Sequence, residues 1–382
     1  MNEQLERAQK RMGEFLHNLK DNGYTVVLVG SVGAIPAIAA SLSLWKVIEP
    51  HWNCIDSIRT ASGSGIPMSL AASGVPASAI QERLTKLKLE DIVEDIGFFV
   101  EHTSAKGFFE KSRKIKNYYF SGLRGAFSII KHLTDERIGI VKGDKIRTLL
   151  SENLCSDLFA DMNPPFEVVA TLLNSRANLS VFSRDTTPNV PVSNAVVASC
   201  AVRHIFAIQI IDGKKFIDAA QKESIPLLSV IDSHVAKGRN PKKLFIIGTF
   251  VHTLPLEELT AFHFLRLEHY YPGNEHVDMF RKDLALARYT GAKTMIFELN
   301  AAGVALPSFN PFPEFPVFGK SFQEIRKAVA KFLQAEFLEK LLRGTSLYIY
   351  NELNMQHLPY YFDDFEAKLY EKIERRLNQD LV

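Results

Sequence analysis

Residues 26–45 carry no charged side chain, and no other stretch limits the possible folds as strongly. The length of this stretch approaches that of a membrane-spanning helix. Small or turn-forming residues cluster near its start: Gly30, Ser31, Gly33 and Pro36. The preceding residues 1–22 are rich in charges of both signs and follow a helical pattern, unlike a signal peptide. We therefore predict a buried strand at residues 25–29, a glycine turn and a buried helix rather than a membrane span.

Short apolar segments that are typical of strands alternate along the chain with segments of helical pattern. The predicted strands cover residues 24–29, 55–60, 166–172, 179–182, 206–211, 227–231, 244–249 and 294–297. The predicted amphipathic helices cover residues 1–22, 77–88, 325–337 and 365–377. This alternation predicts an α/β protein whose sheet is covered by helices on both faces.

The charge balance argues against a general nucleic-acid-binding protein. Lys and Arg together number 45 and Asp and Glu 43, whereas such proteins usually carry a basic excess. The cysteines Cys54, Cys155 and Cys200 form no Cys-x-x-Cys pair, so neither a disulfide scaffold nor a structural zinc site is expected. Histidines and carboxylates between residues 263 and 278 lack zinc-binding spacing, and we interpret them as a solvated helix face.

A sharp turn follows the predicted strand at residues 55–60, where residues 61–65 read Ala-Ser-Gly-Ser-Gly. A serine in a tight turn between a strand and an apolar helix is typical of a nucleophile elbow, whose neighbouring amides can stabilise negative charge. The Gly-x-Ser-x-Gly pattern is not met around either Ser62 or Ser64. Around Ser62, Thr60 and Ser64 replace both glycines, and around Ser64 the β-branched Ile66 stands at the second glycine position. An ordinary Gly/Ser turn is the alternative interpretation of this segment alone.

A second glycine turn, residues 30–33, follows the first predicted strand and reads Gly-Ser-Val-Gly. Backbone amides in such a turn can line an oxyanion hole or a phosphate cradle. The turn contains neither the Gly-x-Gly-x-x-Gly fingerprint of a dinucleotide site nor the Lys-Ser/Thr pair of a Walker A motif. By itself, the turn leaves both uses open.

Together with later segments, these two turns resemble the patatin-like phospholipase family. Residues 56–64 match the family's strand and nucleophile elbow, and the match continues without gaps to Gly74. Residues 198–206, Ala-Ser-Cys-Ala-Val-Arg-His-Ile-Phe, are similar to the family's Ala-Ser-x-Ser-Ile-Pro-x-x-Phe segment. Residues 211–220, Ile-Asp-Gly-Lys-Lys-Phe-Ile-Asp-Ala-Ala, are similar to its Asp-Gly-x-x-(Tyr/Phe)-(Val/Ile)-Asp-Gly-Gly segment. The resemblance covers residues 23–333.

The resemblance implies a patatin-like three-layer α/β/α domain with a mainly parallel central sheet and a Ser–Asp dyad without histidine. Ser62 would be the nucleophile and Asp218 the base that takes its proton. The implied oxyanion donors are Gly30, Ser31, Val32, Gly33 and Gly63. A dyad of this kind cleaves acyl esters through an acyl-enzyme. The implied function is therefore a lipid acyl hydrolase, a serine hydrolase of the phospholipase A or lysophospholipase type, without metal or organic cofactor.

The implied substrate is a phospholipid or another acyl-ester lipid, met at a peripheral membrane surface. The chain departs from the family pattern in its glycine loop, which has no basic residue, and after Asp218, where Ala219 and Ala220 replace a glycine pair. A catalytically inactive scaffold that binds lipid or a protein is therefore the alternative. We interpret His204 as a packing or lip residue rather than a triad member, and the Asp-Gly pair at residues 212–213 as a hairpin turn.

The domain prediction comprises an N-terminal helix at residues 1–22, a catalytic domain at residues 23–335 and a C-terminal helical extension at residues 336–382. Residues 106–147 combine basic side chains with interleaved aromatic ones. This segment is interpreted either as a solvated helical hairpin or as a membrane-facing lid. The C-terminal helices are expected to pack or to bind a second copy or a protein partner. Because no signal peptide or convincing transmembrane helix is recognised, a cytoplasmic or peripheral membrane location is expected.

Overall fold

A computed structural model of the protein describes residues 2–87, 89–92, 142–173, 178–202, 206–252, 273–300 and 335–355. Within these ranges, eight β-strands form one sheet. The strands are β1 Thr25–Gly30, β2 Ser57–Ala61, β3 Phe166–Leu172, β4 Asn178–Phe182, β5 Gln209–Ile211, β6 Lys214–Ile217, β7 Leu244–His252 and β8 Lys293–Asn300. The α-helices are α1 Asn2–Asp21, α2 Ala34–Ile48, α3 Gly65–Ala72, α4 Ala77–Lys86, α5 Leu89–Ile92, α6 Asp144–Asn153, α7 Val192–Ser199, α8 Leu227–Ala236, α9 Gly273–Tyr289 and α10 Ala335–Met355.

The centre of the sheet is parallel. Strands β3, β2, β1, β7 and β8 lie side by side in this order and run in the same direction. Both β4 and β6 pair antiparallel with β3, and β5 pairs antiparallel with β6. The mainly parallel α/β fold is therefore confirmed, and the carboxyl ends of the central strands meet at one edge of the sheet, where ligands bind in open α/β folds.

Both faces of the sheet are covered, as β1 illustrates. Its Val26 and Leu28 belong to an apolar cluster that includes residues of α1, α2, α3, α7 and α10. The alternate residues Val27 and Val29 belong to a second cluster with α8 and α9. A strand buried on both faces reads as a continuous apolar run, so the charge-free stretch is confirmed as a buried strand, a turn and a buried helix. None of the helices in the described ranges is long and apolar enough to cross a membrane.

One predicted strand is wrong. Residues 227–231 lie in helix α8, which begins after Pro226. The buried residues of this helix include Leu227, Val230, Ile231 and His234. Their spacing of three and four residues is that of one helix face, and a short apolar run cannot be assigned to strand or helix by periodicity alone.

Helix α10 packs into the same core as the sheet. The hydroxyl oxygens of Ser43 on α2 and Thr345 on α10 lie 2.7 Å apart, and Ser346 donates a hydrogen bond of 2.9 Å to Ser43. Around these contacts, Leu342 and Ile349 are buried. Most of the helix predicted at residues 325–337 and all of the one at residues 365–377 lie outside the described residues, and the domain boundaries stay a prediction.

A buried ion pair within the sheet is linked to α8. Arg59 of β2 and Glu167 of β3 are cross-strand neighbours, and Arg59 Nε donates a hydrogen bond of 2.6 Å to Glu167 Oε2. The guanidinium also donates to Ser233 Oγ on α8 at 2.9 Å. The side chains of Arg59 and Glu167 are only 2% and 13% exposed, so the two charges compensate each other where water reaches them little.

We expect Glu167→Ala to lower the free energy of unfolding by about 3–5 kcal/mol, because it leaves the buried Arg59 charge without its partner. Lys237→Ala is the matched control, since it breaks an ion pair with Asp185 whose side chains are 48% and 56% exposed. The control should lose no more than about 1 kcal/mol. Urea denaturation of both variants measures the difference, and equal losses would contradict the role given to the buried pair.

Candidate active site

A tight elbow holds Ser62 at the carboxyl end of β2. The strand ends at Ala61, residues Ser62–Ser64 form a single 3₁₀ turn, and α3 begins at Gly65. Ser62 has a φ of 55°, which a residue with a side chain rarely adopts and which is found at strained functional turns. The predicted strand–turn–helix arrangement is thus present.

The elbow also explains why β1 ends in a glycine. A Cβ atom on Gly30 would lie 2.5 Å from both Cβ and Oγ of Ser64, so only a residue without a side chain allows β1 and the elbow to approach this closely. The hydroxyl of Ser64 donates a hydrogen bond of 2.8 Å to the Ala61 carbonyl oxygen. Ser64 is therefore buried within the turn and bonded to it, and its hydroxyl has a structural partner.

Ser62 and Asp218 are in direct contact. Ser62 Oγ donates a hydrogen bond of 2.7 Å to Asp218 Oδ2, and the two residues are only 5% and 2% exposed. The other carboxylate oxygen, Oδ1, accepts a hydrogen bond of 2.7 Å from the Ala220 amide. The Asp218 carbonyl oxygen accepts a hydrogen bond of 2.9 Å from Thr171 Oγ1. Asp218 reaches this place because it follows β6, whose last residue, Ile217, pairs with Thr171 near the end of β3.

Burial controls the acidity of this carboxyl group. Desolvation raises the pKa of Asp218 to about 6, against the opposing effects of its hydrogen bonds with Ala220 and Ser62. The ordinary value is 3.8. A carboxylate with a raised pKa is a stronger base than one in water, yet it is still mostly ionised at neutral pH. The pair has the composition of a nucleophile and its base.

Ser199 contacts Ser62 from the end of α7, which the sequence did not predict. The Ser62 amide donates a hydrogen bond of 2.7 Å to Ser199 Oγ, and Ser199 Oγ donates one of 2.6 Å to the Val169 carbonyl oxygen. The only signal in the sequence was the position of Ser199 in the Ala-Ser-x segment at residues 198–206.

The glycine turn after β1 lies in the same region, but one predicted donor is committed elsewhere. The Val32 amide donates a hydrogen bond of 2.9 Å to the Ser224 carbonyl oxygen, so this N–H already has a partner within the protein. Ser31 is fully buried, and its hydroxyl has no hydrogen-bond partner among the described residues. Gly33 has a φ of 136° and precedes α2, so a side chain there would be strained.

The remaining sequence predictions have mixed outcomes. Residues Asp212 and Gly213 have φ values of 50° and 72° and connect the antiparallel strands β5 and β6, which confirms the hairpin turn. His204 and residues 106–141 lie outside the described residues. In the described part of the chain, no three His, Cys, Asp or Glu side chains come together as a metal site would require.

Comparison with known families decides the relationship. The profile of the family described as patatin-like phospholipase matches residues 31–231. The chain belongs to the patatin-like phospholipase family. The matched region runs from the glycine turn after β1 into α8 and contains Ser62 and Asp218. The chain is thus a member of a family of lipid acyl hydrolases. Among curated proteins, none matches the sequence.

Solved structures that align with this patatin-like chain share little sequence with it. VipD from Legionella pneumophila aligns with a TM-score of 0.36 and 12% identity over 85% of this chain and 67% of that one. Human GIVD cytosolic phospholipase A2 aligns with a TM-score of 0.43 and 9% identity over 93% of this chain and 65% of that one. ExoU from Pseudomonas aeruginosa, in complex with SpcU, aligns with a TM-score of 0.31 and 16% identity over 67% of this chain and 52% of that one. The chain therefore spans about half to two thirds of the length of these proteins.

The raised pKa of Asp218 predicts a pH-dependent stability. Because the folded-state pKa of about 6 exceeds the ordinary 3.8, the folded protein favours the protonated carboxyl. The contribution of Asp218 to the stability of the folded protein is therefore fully present below pH 3.8, and it is lost as the pH rises through about 6. As the pH rises between these two values, the parent protein loses this contribution and Asp218→Asn does not. We therefore expect the free energy of unfolding of Asp218→Asn to rise relative to that of the parent protein, by on the order of 3 kcal/mol in total.

Thermal unfolding of both proteins between these pH values measures this difference. Asp232→Asn serves as the control for the change from carboxyl to amide, since Asp232 is exposed on α8. A difference between the parent protein and Asp218→Asn that stays constant across the range would mean that burial does not penalise the Asp218 carboxylate.

Proposed function

We propose that the protein hydrolyses acyl esters of lipids, as a phospholipase A or lysophospholipase, with Ser62 as nucleophile and Asp218 as general base. The observation that carries the proposal is the 2.7 Å hydrogen bond from Ser62 Oγ to the buried Asp218 carboxylate. A serine hydroxyl is a weak nucleophile until a neighbouring base accepts its proton. Here the base contacts the hydroxyl directly, and Ser62 is presented by a strained elbow.

The reaction has two halves. In the first, Ser62 Oγ attacks the acyl carbonyl carbon while Asp218 takes the hydroxyl proton, and the same proton passes to the alcohol that leaves when the ester bond breaks. In the second, Asp218 takes a proton from water, which attacks the acyl-enzyme. The carboxylic acid is released, and Ser62 regains its proton. A base whose pKa is about 6 suits both proton transfers near neutral pH.

The oxyanion formed in each half would be stabilised by backbone amides around the elbow. Gly63 directly follows the nucleophile, which is the usual place of one donor in an elbow. Ser31 and Gly33 lie in the turn after β1, and the buried Ser31 hydroxyl offers a further donor. Gly30 is also proposed as an oxyanion donor, although the packing of β1 against Ser64 already requires a glycine at this position. Val32 is not proposed as a donor, because its amide donates a hydrogen bond to the Ser224 carbonyl oxygen.

The proposed substrate class is an acyl-ester lipid presented at a membrane surface, in keeping with the family. The proposed unit that acts on it is residues 23–335. The proposed contact with the membrane is residues 106–147, where aromatic side chains are interleaved with basic ones in the sequence. A water-insoluble substrate requires the enzyme to meet a lipid surface, and basic and aromatic side chains favour such contact.

Covalent capture by a fluorophosphonate probe tests the nucleophile. We expect the parent protein to be labelled at Ser62 and Ser62→Ala to lose labelling and ester hydrolysis by at least about a thousandfold, as removal of a catalytic serine generally does. Ser64→Ala is the matched control, a serine two residues away that is also buried, and it should keep most of the activity.

Two other labelling results would contradict the assignment of Ser62 as the nucleophile. Labelling that persists in Ser62→Ala and disappears in Ser64→Ala would place the nucleophile two residues later. No labelling of the parent protein, together with retained binding to lipid vesicles, would contradict the hydrolase and support the inactive lipid-binding scaffold.

A further inference from the structure

We propose that Ser199 is a positioning residue of the dyad, whose hydroxyl holds the Ser62 backbone in the conformation from which Ser62 Oγ reaches Asp218. This inference rests on the proposed function of Ser62 and Asp218. Ser199 does not contact the reacting atoms in this arrangement. It acts through the backbone of the nucleophile.

Ser199 joins the elbow to the neighbouring strand through two short hydrogen bonds. It accepts from the Ser62 amide at 2.7 Å and donates to the Val169 carbonyl oxygen at 2.6 Å. Val169 of β3 is the parallel-sheet partner of Ala61, the residue before Ser62. The elbow is thus tied to β3 twice, once by the sheet register at Ala61 and once by the Ser199 hydroxyl at Ser62.

The same short segment also holds the base. Two residues after Ser199, the Ala201 carbonyl oxygen accepts a hydrogen bond of 2.9 Å from the Asp218 amide. Residues 199–201 therefore bind the main chain of the nucleophile at one end and the main chain of the base at the other. The separation of Ser62 and Asp218 is set by this segment, which is anchored in the core because Ser199 is fully buried and Ala201 is 1% exposed.

The Ser62 amide needs an acceptor in this place. Ser62 is buried and its φ of 55° lies in a region that is unfavourable for a serine. A buried amide that loses its acceptor carries a large desolvation penalty, so the elbow would relax toward another acceptor or toward water. Such a movement turns Ser62 Oγ away from the carboxylate, and small displacements of reacting groups reduce rates strongly.

The role of Ser199 predicts a change that a loss of stability would not produce. The hydrogen bond from Ser62 lowers the pKa of Asp218 against the effect of burial. If the elbow moves and this bond weakens, the pKa of Asp218 rises further. The acid limb of the pH–rate profile, which reports ionisation of the base, should then move to higher pH.

The experiment measures the rate of fluorophosphonate capture as a function of pH for the parent protein and for variants of two serines on α7. Ser199→Ala should be captured about 10–100 times more slowly, with an acid limb displaced to higher pH. Ser199→Thr keeps the hydroxyl and should restore the parent acid limb. Ser193→Ala is the matched control: Ser193 is on the same helix, 2% exposed, and its hydroxyl donates to Asp157 rather than to the dyad segment. It should leave the acid limb in place, whatever its melting temperature.

Several results would overturn the inference. One is a capture rate and an acid limb in Ser199→Ala that match those of the parent protein. Another is slower capture in both Ser199→Ala and Ser193→Ala with no displacement of the acid limb in either. If Ser199→Ala does not fold, Ser199→Cys decides, because a thiol is a weak hydrogen-bonding group of similar size: a parent-like profile overturns the inference and a displaced limb supports it. Absence of capture in the parent protein would instead overturn the proposed function, and this inference with it.

Discussion

The hydrogen bond between Ser62 and Asp218 connects two residues that are 156 positions apart in the chain. Its formation depends on nearly every part of the central fold. The parallel pairing of β1, β2 and β3 presents the elbow at the carboxyl edge of the sheet, and the antiparallel pairing of β6 with β3 returns the chain so that Asp218 arrives beside it. A small change in either register would separate the two side chains, because one residue of slip reverses the face on which a side chain lies.

Burial makes Asp218 a stronger base, and the same burial lowers the stability of the folded protein when Asp218 is ionised. A carboxyl group that is 2% exposed has its pKa raised to about 6, which strengthens it as a base but penalises its ionised form in the folded protein. The elbow adds backbone strain at Ser62. Such local conflicts with stability are common at functional sites and rare elsewhere. The hydrogen bonds that Asp218 accepts from Ala220 and Thr171, and the one that the Ser62 amide donates to Ser199, hold the arrangement in place.

Local sequence patterns predicted the parts of the structure that local forces determine. The limits of β3, the hairpin turn at residues 212–213 and the buried strand at residues 25–29 follow from side-chain periodicity and turn chemistry. Helix α8 was missed because four of its first five residues, Leu-Leu-Ser-Val-Ile, are apolar and such a short segment fits either element. The bonds of Ser199 to Ser62 and of Val32 to Ser224 join distant segments. No pattern within either segment reports such contacts, which only the assembled sheet creates.

One measurement tests the role of the dyad most directly. It compares the rates at which Asp218→Asn and the parent protein hydrolyse acyl esters on the same phospholipid vesicles at neutral pH. The asparagine keeps the shape of the side chain and cannot accept the Ser62 proton, so hydrolysis should fall by about 10²–10⁴-fold while the protein stays folded. Hydrolysis at the parent rate by a folded Asp218→Asn protein would contradict the assignment of Asp218 as the base.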